Sequence, residues 1–272
     1  MHNPKRVCIP PPDPVLQDSL HRALGISRIF AQLLINRGIA TPDAAARFLT
    51  PAFTALNDPF SFTEMPLAVS LIKKAVALKA PILVHGDYDV DGITSLCLVK
   101  NTVERLGGHV EHYIPHRIRE GYGLQDTIVR VAREKGVKLV ITVDCGTNSD
   151  DQIRALRAEQ IDVVVTDHHE AGKDQRGSAA SAMINPKTPD SGYPFRDLAG
   201  VGVAYKLCQA LSGSALEADL DLVCLGTIAD AVPLLGENRI IARNGLLSIA
   251  STRRVGLKVL MEKSRIAGKK LK

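Results

Sequence analysis

Acidic and histidine side chains are concentrated in three short segments of the sequence. Residues 86–92 carry Asp87, Asp89 and Asp91, a second segment begins with Asp144, and residues 167–169 read Asp-His-His. Each segment directly follows a short apolar run, and the carboxyl ends of parallel strands meet at one edge of a sheet, where ligands bind. Carboxylates gathered at such an edge repel one another unless a cation lies between them. We therefore expect a divalent metal, and oxygen-rich ligation with one or two histidines suits Mn²⁺ or Mg²⁺ better than Zn²⁺.

A metal site of this kind is suited to phosphoryl chemistry. Two divalent ions about 3.5–4 Å apart stabilise both the attacking and the leaving oxygen when a phosphoester or anhydride is hydrolysed.

Each acidic segment, taken alone, has a simpler interpretation. The Asp-x-Asp-x-Asp-Gly run resembles part of a calcium loop, although no glutamate follows at its twelfth position. Asp91 could cap a helix and Asp144 could be an ordinary turn residue, but the coincidence of three acidic segments favours one or two bound ions.

The sequence between these segments predicts the elements that position them. Apolar, β-branched runs predict strands at residues 82–85, 110–114, 137–143 and 161–166, with a weaker fifth at 182–184. Runs with helical periodicity lie between them. Strands that are apolar on both faces and separated by crossover helices form parallel sheets covered on both sides. We therefore expect an α/β fold, a parallel β-sheet flanked by helices, preceded by a helical N-terminal segment.

The composition limits the class of protein. With 272 residues, 45% of them hydrophobic and 23% charged, and with no long apolar run, the chain is neither disordered nor a membrane protein. The first residues lack the apolar stretch and cleavage site of a secretory signal. Five widely spaced cysteines without a CxxC pair argue against a disulfide framework or a zinc ribbon. We expect a cytoplasmic protein that does not contact a membrane.

Positive charge is concentrated at the C-terminal end. Residues 253–272 contain eight lysines and arginines against one glutamate, whereas the whole chain has a formal net charge of +5. A basic end of this kind could bind a polyanion, or it could be a solvated tail or linker. Composition alone does not decide between these two interpretations.

The three acidic segments resemble the successive motifs of the DHH phosphoesterase superfamily. The matching stretches are residues 85–95 (HGDYDVDGITS), 143–147 (VDCGT) and 167–169 (DHH), the last being the superfamily's namesake. Stretches at 115–124, 185–186, 198–204 and 226–230 are similar to its RecJ branch, the 5′-to-3′ exonucleases of single-stranded DNA. The resemblance implies the DHH phosphoesterase fold and a metal-dependent exonuclease that releases nucleoside 5′-monophosphates in DNA repair and recombination.

The resemblance also implies roles for individual residues. The implied metal ligands are Asp89, Asp91, Asp144, His168 and Asp230, with Asp144 as the bridge between ions. His85 is a further candidate ligand, because pyrophosphatase members of the superfamily place a histidine at that spacing. Asp87 is typical of the RecJ branch and is assigned to catalysis together with Asp144. His169 is the expected phosphate contact or proton donor, and a buried structural histidine is the alternative.

Four further residues are predicted to bind substrate. Thr94 and Ser95, at the start of a predicted helix, could present hydroxyl groups to a phosphate or simply cap the helix. Arg117 could neutralise a phosphate, and Tyr122 could stack on a base or anchor a Gly-rich turn. The implied partner is single-stranded DNA, bound by a monomer. A single-strand-binding protein or a helicase is a candidate protein partner.

The resemblance divides the chain into three parts. We expect a helical segment and connector at residues 1–66, the catalytic domain at 67–251 and a basic interdomain helix or linker at 252–272. The second, substrate-gripping domain and the oligonucleotide-binding (OB) barrel of RecJ proteins are not expected in this sequence. Two other functions stay open: a DHH phosphoesterase of short oligonucleotides, cyclic dinucleotides or pyrophosphate, and a non-catalytic replication-fork scaffold. The carboxylate cluster argues against the scaffold, which would not need mutually repulsive carboxylates.

Overall fold

A computed structural model describes residues 10–172 and 179–269 of the chain. The chain forms two compact units that divide between Thr54 and Ala55. Lys270 and Lys272 of the predicted basic end lie outside the described residues, as does Cys8. In the described part of the chain, no helix is long and apolar enough to cross a membrane. The predicted domain limits at residues 66 and 251 stay predictions.

The first unit is helical, as the sequence predicts. Its helices are α1 (Pro14–Leu24), α2 (Arg28–Ile35) and α3 (Pro42–Leu49). Each helix begins at a side chain that accepts a backbone N–H of the first turn: Asp13, Ser27 and Thr41. Gly25, with φ of 67°, ends α1 in the left-handed region that favours glycine. The sequence pattern did not separate α1 from the rest of the segment.

The second unit contains one sheet of five parallel strands. The strands are β1 (Ile82–Gly86), β2 (Val110–Tyr113), β3 (Leu139–Val143), β4 (Asp162–Thr166) and β5 (Ala182–Ile184). Their order is β2-β1-β3-β4-β5, and every pairing is parallel. The chain moves to one side of β1 to form β2 and then to the other side to form β3. In such sheets, ligands bind at the carboxyl ends of the strands where the direction reverses, here between β1 and β3.

The start of β3 differs from the sequence prediction. The predicted strand begins at Val137, whereas the observed one begins at Leu139. Gly136, with φ of 62°, ends the preceding helix, and the Val137 N–H donates to the Ala132 carbonyl of that helix at 2.9 Å. Val137 is therefore part of a helix C-cap, and its burial among apolar side chains produced the strand-like pattern.

Helices cover both faces of the sheet. They are α4 (Met65–Ala77), α5 (Val90–Arg105), α6 (Thr127–Glu134), α7 (Asp150–Ala158), α8 (Gly200–Ser212), α9 (Leu220–Ala229), α10 (Gly236–Ala250) and α11 (Val255–Lys263). On one face, Ile128 of α6 and Leu156 of α7 share a buried cluster with Val140 and Val163 of the sheet. On the other face, α4, α5 and α8 pack against the strands, and α9 packs against α5 and α10. The predicted α/β fold, a parallel sheet flanked by helices, is confirmed.

A buried ion pair ties α8 to α10. Lys206 is fully buried, and its Nζ lies 2.7 Å from Glu237 Oε1 and donates to the Asn57 carbonyl at 2.8 Å. Glu237 also accepts the Asn57 N–H at 2.9 Å and the Tyr193 hydroxyl at 2.7 Å. Because every charged atom of the pair has partners, this network fixes the start of α10 against α8 and against the segments that carry Asn57 and Tyr193.

Candidate metal centre

The strand register brings the acidic segments to one edge. Gly86 of β1 pairs with Val143 of β3, which pairs with Thr166 of β4. The next residues, Asp87, Asp144 and Asp167, therefore follow neighbouring strands at the same level. Asp144 has φ of 58°, a left-handed conformation that aspartate adopts more readily than most residues, so the chain turns sharply as it leaves β3.

Four of the predicted ligands converge on one point around His168. Its Nε2 lies 3.2 Å from Asp144 Oδ1, 3.7 Å from Asp230 Oδ2 and 3.9 Å from Asp91 Oδ2. In the described part of the chain, neither ring nitrogen of His168 nor Asp144 Oδ1 has a hydrogen-bond partner, although all three atoms are buried. Buried polar atoms are normally hydrogen-bonded. An unpartnered carboxylate oxygen and an unpartnered imidazole nitrogen 3.2 Å apart, with two further carboxylates beside them, fit a divalent cation such as Mn²⁺ or Mg²⁺.

The electrostatics of the cluster lead to the same conclusion. Burial raises the pKa of Asp144 to about 9, and the negative charges of Asp89, Asp167 and Asp230 add to the effect. Burial, followed by the charge of Asp144, raises the pKa of Asp91 well above its ordinary value, and burial also raises the pKa of Asp230. Without a cation, the raised pKa of Asp144 means that its carboxyl group holds a proton at neutral pH. A divalent cation would favour the ionised forms.

The N-terminus of α8 holds one of the carboxylates. The Gly200 N–H donates to Asp91 Oδ2 at 2.7 Å, and the Val201 N–H donates to Oδ1 at 2.8 Å. Residue 200 must be glycine, because a Cβ there would lie 2.4 Å from Asp144 Oδ1. A Cβ at Gly226 would likewise lie 2.9 Å from Asp91 Oδ1. The glycines at residues 200 and 226 were the only sequence signal for these contacts, since glycine permits close approach of the backbone.

His169 is held by Asp167, a carboxylate for which the sequence predicts no role. Its Nδ1 lies 2.7 Å from Asp167 Oδ1, and Asp167 also accepts the backbone N–H groups of His168, His169 and Thr147. Burial alone would raise the pKa of Asp167, but the hydrogen bonds from His169 and Thr147 lower it to about 2. The hydrogen bond to Asp167 raises the pKa of His169 to about 9, against the effect of burial. The position of Asp167 directly after β4 was the available signal.

The remaining predicted metal and catalytic residues lie close to this cluster. Asp89 is exposed, and its Oδ1 caps α5 by accepting the Gly92 N–H at 3.0 Å. Asp87 is buried, and its Oδ1 has no partner among the described residues. His85 is fully buried, and burial lowers its pKa to about 4, so the imidazole is neutral, as a ligand must be. Two groups of residues have ligand atoms within 4.8 Å of one another, and together they contain Asp91, Asp144, His168, His169 and Asp230. Asp89, Asp87 and His85 belong to neither group, so their roles stay predictions.

The predicted substrate-binding residues differ in exposure. Thr94 is buried and donates to the Val90 carbonyl of its own helix at 2.8 Å, and Ser95 is fully buried. Arg117 is exposed, with its guanidinium carbon 5.1 Å from the centre of the Tyr88 ring. Tyr122 is 49% exposed, and its hydroxyl lies 3.0 Å from the His169 ring. Tyr122 and Arg117 are therefore accessible to a ligand, whereas contacts of Thr94 and Ser95 with a phosphate stay predictions.

Comparisons with known proteins agree with this geometry. The family model described as DHH family, N-terminal domain, matches residues 81–227. The single-stranded-DNA-specific exonuclease RecJ of Bacillus subtilis (strain 168) is 41% identical over 253 residues, 93% of this chain and 32% of that protein. The crystal structure of exonuclease RecJ bound to manganese is 34% identical, with a TM-score of 0.70 over 79% of this chain and 55% of that chain. RecJ from Thermus thermophilus in complex with Mn²⁺ is 29% identical, with a TM-score of 0.76 over 94% of this chain and 36% of that chain.

This chain spans about a third of the length of the curated relatives that it matches. The match to the family model extends from β1 into α9 and includes all three acidic segments. The chain belongs to the DHH family and is similar to the RecJ exonucleases.

Proposed function

We propose that this chain carries the metal-dependent core of a 5′-to-3′ exonuclease that hydrolyses single-stranded DNA to nucleoside 5′-monophosphates in DNA repair and recombination. The observation that carries the proposal is the convergence of Asp91, Asp144 and Asp230 on His168. In the described part of the chain, the buried Asp144 Oδ1 and the His168 ring nitrogens lack hydrogen-bond partners. The similarity to RecJ proteins over most of the chain supplies the substrate class.

One or two Mn²⁺ or Mg²⁺ ions are the proposed cofactors. Asp91, Asp144, His168 and Asp230 would hold the metal, with Asp144 as the bridge if two ions bind. Asp89 and His85 are the further ligands that the sequence predicts. Bound divalent ions supply Lewis acidity, which polarises a phosphoryl group, neutralises its charge and makes water a stronger nucleophile.

The protein's own residues orient the phosphate and move a proton. His169 carries a proton at neutral pH, because its hydrogen bond to Asp167 raises its pKa to about 9. Asp167 holds Nδ1, and Nε2 lies 3.0 Å from the Tyr122 hydroxyl. The Nε2–H would contact a phosphate oxygen or protonate a leaving oxygen in place of that hydroxyl. His169 shares one cluster of ligand atoms with Asp144 and His168, so it acts close to the metal.

The exposed residues beside the cluster suit a nucleic-acid strand. Arg117 provides a positive charge next to Tyr88, and the accessible ring of Tyr122 can stack on a base, which contributes about 1–3 kcal/mol in comparable sites. The 5′ polarity rests on the similarity to RecJ proteins. A cytoplasmic location, a monomeric state, and a single-strand-binding protein or helicase as partner stay predictions from the sequence.

Release of mononucleotides from 5′-phosphorylated single-stranded DNA tests the proposal. We expect release by the wild-type chain with Mn²⁺ and none with EDTA, and loss of release in Asp144→Asn and His168→Ala. Matched controls are Asp151→Asn and His112→Ala, which change exposed residues outside the cluster and should retain release. Hydrolysis of a cyclic dinucleotide or pyrophosphate without attack on DNA would refute the proposed substrate. Metal-independent release would refute the proposed chemistry.

A further inference from the structure

A cavity of about 310 Å³ adjoins the candidate metal centre. Tyr122 and His169 form part of its wall, with Asp167 after β4 and Gln152 of α7. The remaining lining residues lie in the loops that lead into α6 and α7. Its volume lies at the lower end of the range of about 300–1,000 Å³ that is typical of small-molecule sites. Because His169 also belongs to the ligand-atom group of Asp144 and His168, a ligand in the cavity would lie next to the metal centre.

Apart from the Asp167–His169 pair, the wall of the cavity offers neutral hydrogen-bonding groups. The Gln125 side-chain N–H donates to the Tyr122 carbonyl, and the Gln152 Nε2 donates to Asp126 Oδ1 at 2.8 Å. These bonds fix the orientation of both amides, and within the described residues both Oε1 acceptors are left without a partner. Ser149 also lines the cavity, and its side chain makes no capping bond to α7.

His169 is the one cationic side chain among the described residues of the wall, and it is paired with Asp167, so a second phosphate would meet no unpaired positive charge there. In the described part of the chain, no lysine or arginine lines the cavity. Asp167 is the carboxylate in the wall, and it already accepts the His169 ring N–H and the Thr147 N–H. A neutral ligand with N–H donors would satisfy the two free amide oxygens without bringing further charge beside this carboxylate.

We propose that this cavity binds the base of the nucleotide whose phosphate lies at the metal centre. The inference rests on the proposed function and adds a base-binding site to it. Each of the four DNA bases has an N–H donor on its pairing edge, and the Oε1 atoms of Gln125 and Gln152 can accept such donors. Because both Oε1 atoms are acceptors without a matching array of donors, they would discriminate only weakly between the bases. Weak discrimination suits a nuclease that releases every nucleotide.

Calorimetric titration with two small probes tests the proposal in the presence of Mn²⁺. The probes are thymidine 5′-monophosphate and 2-deoxyribose 5-phosphate, which differ by the base. We expect the wild-type chain to bind the nucleotide about tenfold more tightly than the sugar phosphate, as one or two net hydrogen bonds would give. Gln125→Ala and Gln152→Ala should each weaken nucleotide binding by about threefold to tenfold and leave sugar phosphate binding within about twofold. Asp151→Asn, a control on α7 outside the cavity wall, should change neither affinity.

Three results would overturn the base-binding site. They are equal affinity of the wild-type chain for both probes, equal weakening of both probes by the glutamine variants, and no binding of either probe. The proposed function is tested separately by release of mononucleotides from DNA. Base-dependent probe binding without any DNA cleavage would refute the exonuclease and retain the base-binding site.

Discussion

Replacing Gly200 with alanine tests whether the start of α8 holds the metal centre in shape. The added Cβ would lie 2.4 Å from Asp144 Oδ1 and 2.8 Å from Asp144 Cβ and Cγ. Either the Asp144 side chain or the start of α8 must therefore move. Movement of α8 would also lengthen the bonds from the Gly200 and Val201 N–H groups to Asp91, which are now 2.7 and 2.8 Å long.

The expected cost follows from these contacts. Overpacking of a buried site destabilises a protein by about 1–3 kcal/mol. Disturbing the groups that orient metal ligands lowers metal affinity by about tenfold to a hundredfold. Calorimetric titration of the purified variant with Mn²⁺ measures the affinity, and thermal unfolding in EDTA measures the stability.

Gly202→Ala is the matched control on the same helix. The nearest atoms to its Cβ would belong to the Leu198 side chain, at 3.1 Å for Cδ2 and 3.5 Å for Cβ, and Leu198 is able to adjust. We expect this variant to bind Mn²⁺ like the wild-type chain. Mn²⁺ affinity of Gly200→Ala within twofold of the wild-type value would refute the steric argument.

Three further outcomes are expected. The ion pair between Asp167 and His169 lowers the pKa of Asp167 to about 2 and raises that of His169 to about 9. Its contribution to the free energy of unfolding is therefore fully present between roughly pH 4 and 6.5 and is lost as pH rises through about 9. In Asp167→Asn, an NMR titration in EDTA should show the His169 pKa falling toward its ordinary value, and an unchanged pKa would contradict the pairing. Because burial raises the pKa of Asp144 to about 9, its ionisation opposes folding without metal above about pH 4. Asp144→Asn should therefore raise the melting temperature in EDTA at pH 8 and abolish stabilisation by Mn²⁺, and a lower melting temperature in EDTA would contradict this. Lys206→Met leaves Glu237 as an unpaired buried charge and should lower the free energy of unfolding by about 3–5 kcal/mol in a urea titration, whereas a loss under about 1 kcal/mol would show that the pair is dispensable.

The sequence predicted the sheet because its strands leave a strong local signal. Central parallel strands are buried on both faces, so runs such as residues 139–143 and 163–166 are mostly apolar and are followed by polar turn residues. The same pattern predicts that Asp144 and His168 lie at one edge of the sheet. The sequence pattern does not separate helix α1 from its neighbours. It also begins β3 too early, because Val137, which caps the preceding helix, is as apolar as a strand residue.

Contacts between distant segments were beyond sequence reasoning. Asp230 follows a helix, so no strand-end argument selects it, and it entered only through the family resemblance. The bonds from Gly200 and Val201 to Asp91 join residues more than a hundred positions apart. Asp167 was visible as a strand-end carboxylate, but its bond to the adjacent histidine ring depends on a loop conformation that the residue types alone do not specify.

Anomalous scattering from crystals grown with Mn²⁺ would locate the bound ions. We expect one or two strong peaks within coordination distance of His168, Asp144, Asp91 and Asp230, and loss of these peaks in Asp144→Asn crystals. Peaks elsewhere on the molecule, with His168 and Asp144 unliganded, would contradict the metal centre and the phosphodiester hydrolysis proposed from it.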